Sequence, residues 1–172
     1  MSLSKSSLRK KFINIRKDFA VKNLNKLSSV QLESFYQEYF KNIHTIIRKS
    51  SCSSQVIAGF YPIKNEPDCL FLLKEFRKIG YRISLPFVAK KHENMEFYEF
   101  HEKSDLIKDI YGTPAPDPRI SPKMSPNIFL VPLLAFSNSL FRLGYGGGYY
   151  DRYFLEKTKR KGTILYKRIF NF

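Results

Sequence analysis

Apolar residues recur at helical spacing along the first fifty positions. Leu8, Phe12, Ile15 and Phe19 fall four, three and four residues apart, marking one stripe of a helix over residues 5–20 whose other faces are basic. Ser28 or Ser29 caps a second helix running to Arg48, with Phe35, Tyr39, Ile43 and Ile46 on its inner side. The period then shortens. Gln55 to Tyr61 reads as a buried strand and Pro62 to Pro67 as a loop. Asp68 to Ile79 reads as a helix with Leu72, Leu73 and Phe76 inside, closed at Gly80, and Tyr81 to Pro86 as a second strand. Strand, helix and strand over about 30 residues make a crossover unit, which pairs its strands in parallel.

Met95 to Phe100 alternates and reads as a further strand. Residues 112–126 hold five prolines and read as a long, stiff loop, of a kind that in compact domains is functional or mobile. Asn127 to Pro132 is a continuous apolar run, the pattern of a central strand covered on both faces. A glycine-rich loop follows, then a helix from Tyr149 to Lys159 and a last strand around Thr163 to Ile169. No repeat, low-complexity tract or linker interrupts the pattern, which predicts one α/β domain over residues 1–172.

Composition adds a constraint on partners. The 172 residues are 43% hydrophobic and 26% charged, enough for a globular core, and carry a net charge of +15. That charge admits nucleic acid, an anionic membrane surface or small polyanionic substrates. The basic blocks Arg9-Lys10-Lys11 and Lys159-Arg160-Lys161 are short and scattered, without a dense stripe or a nucleic-acid-binding module, so nucleic acid is not expected. No stretch approaches the about 20 apolar residues that span a bilayer, and the Ser/Lys-rich start has no apolar signal core. No membrane partner is expected, and a cytoplasmic protein is. Cys52 and Cys69 have neither CxxC nor Cys/His pairing and read as reduced thiols, while His44, His92 and His101 share no metal-binding spacing. Nothing in the sequence sets an oligomeric state, and a monomer is the working expectation.

The chemistry concentrates in Phe141-Arg-Leu-Gly-Tyr-Gly-Gly-Gly-Tyr-Tyr-Asp-Arg152. Gly144, Gly146, Gly147 and Gly148 allow positive φ and close approach of a ligand to the backbone. Free N–H groups at a helix start, with the positive end of the dipole, form an anion cradle. Arg142 and Arg152 flank it as candidate phosphate clamps, and Asp151 is a carboxylate suited to Mg²⁺ carried on substrate phosphates. The spacing is neither GxxxxGK[ST] nor GxGxxG in an N-terminal βαβ unit.

The full string resembles the signature of the 5-formyltetrahydrofolate cyclo-ligase family. Agreement continues in order through Lys5-Ser-Ser-Leu8-Arg9, Phe60-Tyr61-Pro62 with Glu66, Gly80 to Pro86, Met95-Glu-Phe97 and Gly112-Thr-Pro-Ala-Pro116, and spans residues 5–155. The resemblance implies a three-layer α/β/α sandwich with a mostly parallel central sheet. It implies conversion of 5-formyltetrahydrofolate and ATP to 5,10-methenyltetrahydrofolate, ADP and phosphate with Mg²⁺, through phosphorylation of the formyl oxygen and attack by N10. Carried over by position, Lys5, Arg9, Arg142, Leu143, Gly144, Tyr145, Gly146, Gly147, Gly148, Tyr149 and Tyr150 would hold ATP. Tyr61, Glu66, Tyr145, Gly146, Gly147, Gly148 and Tyr149 would line the folate, Asp151 would meet the metal, and Arg142 and Tyr149 would act in catalysis.

Ser137 and Leu140 stand where the family has Asp and Gly, Asn127 where Asp is usual, Leu133 where Gly is usual, and Ala115 where Glu is frequent. The ending, Thr163 to Phe172, is basic and aromatic where the family carries an acidic segment. A shortened or diverged C-terminus predicts weaker metal binding and reduced turnover. The alternative reading is a diverged member that binds nucleotide or folate with little or no turnover.

Overall fold

The computed structural model describes residues 4–23, 26–49, 55–139 and 141–161. Helix α1 (Lys5–Lys22) begins at Ser4, whose side chain accepts the Ser7 N–H. Its stripe differs from the sequence expectation. Leu8 and Phe12 are half-buried, Ile15 and Phe19 stand out in solvent, and Ala20 alone is buried. Helix α2 (Ser29–Arg48) opens with a reciprocal cap between Ser28 and Gln31, satisfying two otherwise orphaned N–H groups. Its inner face is set by Ile43 and Ile47, with Tyr39 and Phe40 beside them, rather than by Ile46.

Strand β1 (Val56–Ala58), helix α3 (Cys69–Lys78) and strand β2 (Arg82–Phe87) form the expected crossover. The Asp68 carboxylate caps α3 by accepting from Leu70 and Phe71, and Gly80 turns the chain out at φ +94°. β1 and β2 run parallel, with Val56 opposite Arg82 and Ala58 opposite Ser84. Close packing of α3 depends on Gly59, because a Cβ there would lie 2.5 Å from Leu73 Cδ1.

Strand β3 (Glu96–Glu99) adds antiparallel to β2, and β6 (Lys123–Met124) antiparallel to β3. β7 (Ile128–Phe129) pairs parallel with β1, giving the order β6-β3-β2-β1-β7. The sheet is thus parallel at β2-β1-β7, in an α/β fold as the sequence predicted. Among the described residues β7 is an outer strand and half-buried, not central. The expected strand at Thr163–Ile169 lies outside the described residues.

The proline-rich stretch is more ordered than a loop. β4 (Leu106–Lys108) and β5 (Pro114–Pro116) pair with each other, and β6 follows. Between β5 and β6 the buried Asp117 accepts from the Arg119 backbone and guanidinium, while its carbonyl accepts from Ile120 and Ser121. A hairpin of β8 (Ala135–Phe136) and β9 (Arg142–Leu143) then leads into helix α4 (Tyr149–Lys161).

Alternation along β1 divides the core. Ile57 joins Ile83, Leu85, Leu130 and the inner faces of α2 and α3. Val56 and Ala58 join Phe97, Met95 and Met124, with Phe129, Tyr149, Tyr150 and Tyr153 packed against them. Met95 is core, and Cys69 is a buried free thiol.

Candidate functional site

The β8–β9 hairpin delivers Arg142 and Leu143 to a loop, Gly144–Gly148, that ends on the first turn of α4. Gly146 at φ +108° and Gly148 at φ +67° hold conformations that L side chains rarely adopt. Three of the loop's carbonyls have donors. Gly144 O accepts from Arg9 Nε at 3.0 Å, Gly147 O from Arg152 Nη1 at 2.9 Å, and Gly148 O from the Arg152 N–H at 3.0 Å. The N–H groups of residues 145–148 donate to nothing among the described residues. Unpaired amides at a helix start make an anion-binding concavity.

Four guanidinium groups surround this loop. Arg142 donates to Pro132 O at 3.1 Å and to Asp151 Oδ1 at 2.6 Å, and lies 5.7 Å from the centre of the Tyr150 ring. Arg152 lies 4.5 Å over Tyr149, with Nε and Nη2 buried and without hydrogen-bond partners among the described residues. Arg9 fills the space that a side chain at Gly146 would take, its Cζ 3.3 Å from an ideal Cβ there. Arg16 donates to the Tyr145 hydroxyl at 2.5 Å and to the Leu133 carbonyl.

Tyr149 turns its hydroxyl to Tyr111, 2.5 Å away, and accepts the His92 N–H at 3.2 Å. Tyr150 buries its hydroxyl without a partner among the described residues. Burial holds the Tyr150 phenol far above its ordinary pKa, and burial together with the Glu66 carboxylate does the same for Tyr145. Both stay protonated across the physiological range.

Glu66 reaches the cluster through Arg16, with Oε1 3.8 Å from Nη1. Its Oε2 accepts the Ile63 N–H at 2.9 Å, pinning a turn in which Lys64 and Asn65 have positive φ. Burial raises the Glu66 pKa, opposed by the Ile63 N–H, Tyr145, Arg16 and Lys64. Tyr61 is half-buried against the α2–α3 core. Lys5 is exposed at the start of α1 and makes no hydrogen bond or ion pair to the loop. The structure thus joins Arg9, Glu66 and residues 142–152, and leaves Lys5 and Tyr61 at its margins.

Sequence reasoning missed Arg16, Tyr111 and the His92 backbone. Arg16 was within reach of it, since Lys5, Arg9 and Arg16 are four and seven residues apart on one face of a helix. The approach of Tyr111 and His92 to Tyr149 depends on tertiary structure and has no sequence signal.

No group of three His, Cys, Asp or Glu side chains gathers as a metal site among the described residues. Mg²⁺ that arrives on a nucleotide needs only one or two carboxylates. Asp151, exposed and bound through Oδ1 to Arg142, fits that minimum.

An α/β scaffold thus sets unpaired amides at a helix start beside four arginines, a geometry suited to holding an anion. The family model described as the 5-formyltetrahydrofolate cyclo-ligase family matches residues 2–169, and the chain belongs to that family of enzymes. This match continues past residue 155, where the motif resemblance stops. The 5-formyltetrahydrofolate cyclo-ligase of Mycoplasma pneumoniae is 27% identical over 163 residues, 94% of this chain and 84% of that one. The enzyme of that name from Escherichia coli K12 is 30% identical over 103 residues, 58% of this chain and 57% of its own length. The solved structure of Aquifex aeolicus 5,10-methenyltetrahydrofolate synthetase superposes with a TM-score of 0.65 at 27% identity, covering 89% of this chain and 73% of the other. No helix among the described residues is long and apolar enough to cross a membrane.

Proposed function

We propose that this chain is a cytoplasmic enzyme that cyclises 5-formyltetrahydrofolate to 5,10-methenyltetrahydrofolate at the expense of ATP. The observation that carries the reading is the Gly144–Gly148 loop, with the Gly144 and Gly147 carbonyls tied to Arg9 and Arg152 and its amides unpaired among the described residues at the start of α4. Such a loop binds the phosphates of ATP, and Arg9, Arg142 and Arg152 neutralise their charge. Phosphoryl transfer is mainly a problem of positioning and charge stabilisation, which this set supplies without a nucleophilic side chain. Glu66, Tyr145 and Tyr149 form the folate wall, with Tyr61 at its margin. Mg²⁺ carried with ATP would be held by Asp151 and would offset phosphate charge. The formyl oxygen takes the γ-phosphoryl group, N10 attacks the activated carbon, and phosphate leaves.

The test is product formation by the purified full chain with Mg-ATP and 5-formyltetrahydrofolate, followed by the absorbance of the methenyl product. ATP-dependent turnover with equimolar phosphate release is expected. Thermal stabilisation by both ligands without product would instead establish a binding-only relative, and stabilisation by neither would sink both readings.

A further inference from the structure

Arg16 does more than fasten α1. Its guanidinium reaches the Tyr145 hydroxyl and the Leu133 carbonyl, and stands 3.8 Å from Glu66 Oε1. That separation is too long for a hydrogen bond but short enough for a strong charge interaction. The Glu66 side chain is 3% exposed, and Oε1 has no hydrogen-bond partner among the described residues. A buried carboxylate oxygen without a donor is costly. On the wall of a binding site, it is an acceptor kept for a ligand. Arg16, together with the adjacent Tyr145 hydroxyl, therefore balances the charge of Glu66 while leaving Oε1 without a donor of its own among the described residues.

The geometry points to Arg16 as a positioning residue for the folate: it locks Glu66 and Tyr145 into one frame, so that Glu66 Oε1 accepts an N–H of the bound substrate. This rests on the folate reading above. Both anchors of Arg16 lie on the glycine-loop side, at Leu133 and Tyr145, so the frame also ties the folate wall to the phosphate loop.

A second consequence is a pH signature. Arg16 from α1, Tyr145 from the glycine loop, and Lys64 with the Ile63 N–H from the Glu66 turn all favour the ionised carboxylate against burial. Cys69 and Tyr150 also sense the Glu66 charge, and both are held protonated by burial. Loss of Arg16 thus raises the Glu66 pKa further, and binding that needs an ionised acceptor fails at a higher pH.

The experiment titrates 5-formyltetrahydrofolate calorimetrically into the full chain across the acid-to-neutral range, without ATP. Arg16→Gln is expected to weaken binding about tenfold at neutral pH and to move the acid limb up by about one pH unit. Arg16→Lys keeps a cation but not the fork, so the limb stays in place while affinity falls. On a Glu66→Gln background the limb is absent and Arg16→Gln moves nothing. Wild-type affinity and an unmoved limb in Arg16→Gln overturn the inference, as does a shift that persists in Glu66→Gln. Should Arg16→Gln fail to fold, Arg16→Lys decides, and unchanged affinity there overturns it. A wild-type chain that binds no folate sinks the underlying reading as well, whereas wild-type binding with an unmoved variant sinks this inference alone.

Discussion

Replacing Arg142 by alanine removes a side chain held at three points, and the structure lets each be weighed. The Nη1 hydrogen bond to the partly buried Pro132 carbonyl is worth about 1 kcal/mol. The approach to the Tyr150 ring adds about 0.5–1 kcal/mol. The Asp151 contact is short, but its carboxylate is 73% exposed, and solvent limits it to about 0–1 kcal/mol. The three share one side chain, so the loss is about 2 kcal/mol rather than the sum of the upper limits. At about 2–4 °C per kcal/mol for a domain of this size, Arg142→Ala melts about 4–8 °C below wild type. Asp151→Ala loses the exposed contact and a carboxylate at the positive end of α4, about 1 kcal/mol together, and melts about 2–4 °C lower. Circular-dichroism melts with and without Mg-ATP separate the two roles assigned to Arg142. Equal losses for both variants would refute its role as an internal strut. Undiminished stabilisation of Arg142→Ala by Mg-ATP would refute its role at the phosphates.

Two further predictions concern the scaffold. Gly59→Ala places a Cβ 2.5 Å from Leu73 Cδ1 in a filled core and costs about 1–3 kcal/mol; in urea unfolding that cost shrinks on a Leu73→Ala background, and an equal cost in both would show the clash is not its source. Arg119 holds the Asp117 carboxyl down to about 2, against about 3.9 in an unfolded chain. Its stabilisation is therefore complete above about pH 4 and lost as pH falls through about 2. Asp117→Asn should flatten the acid fall of the urea midpoint, and a variant with the wild-type slope counts against the pairing.

The sequence carried the helices and the parallel crossover because their signals are local and redundant. Ser28 with Gln31, and Asp68 with Gly80, bracket elements that also show the right apolar period. The two- and three-residue strands β4 to β6 are too short for any period to emerge, and the prolines around them read as loop. β7 carries a buried-strand composition at an outer position because α4 covers Phe129 from one side while Leu130 enters the core on the other. At the site, the glycine loop was legible from its own residues. The pairing of Arg142 with Asp151 was not, because both read individually as ligands while the fold makes them partners. Glu66 was legible through the family motif, but its partner Arg16 was not, because that contact is tertiary.

Arg9 and Arg16 close on Gly144 and Tyr145 across 135 and 129 residues of chain. Contacts of that range form late in folding. During synthesis, α1 leaves the ribosome long before its receptor exists, with Ile15 and Phe19 in solvent and little apolar surface to hold it elsewhere. The sheet and its crossover are built from residues 56–129, none of them in α1, whereas the loop's contacts to Arg9 and Arg16 need residues on both sides of that span in place. Closing those contacts costs loop entropy that the core does not incur, so completion of the site is expected to lag behind collapse of the core. A pulse-labelled chain would show a protected sheet before it showed a site able to bind nucleotide.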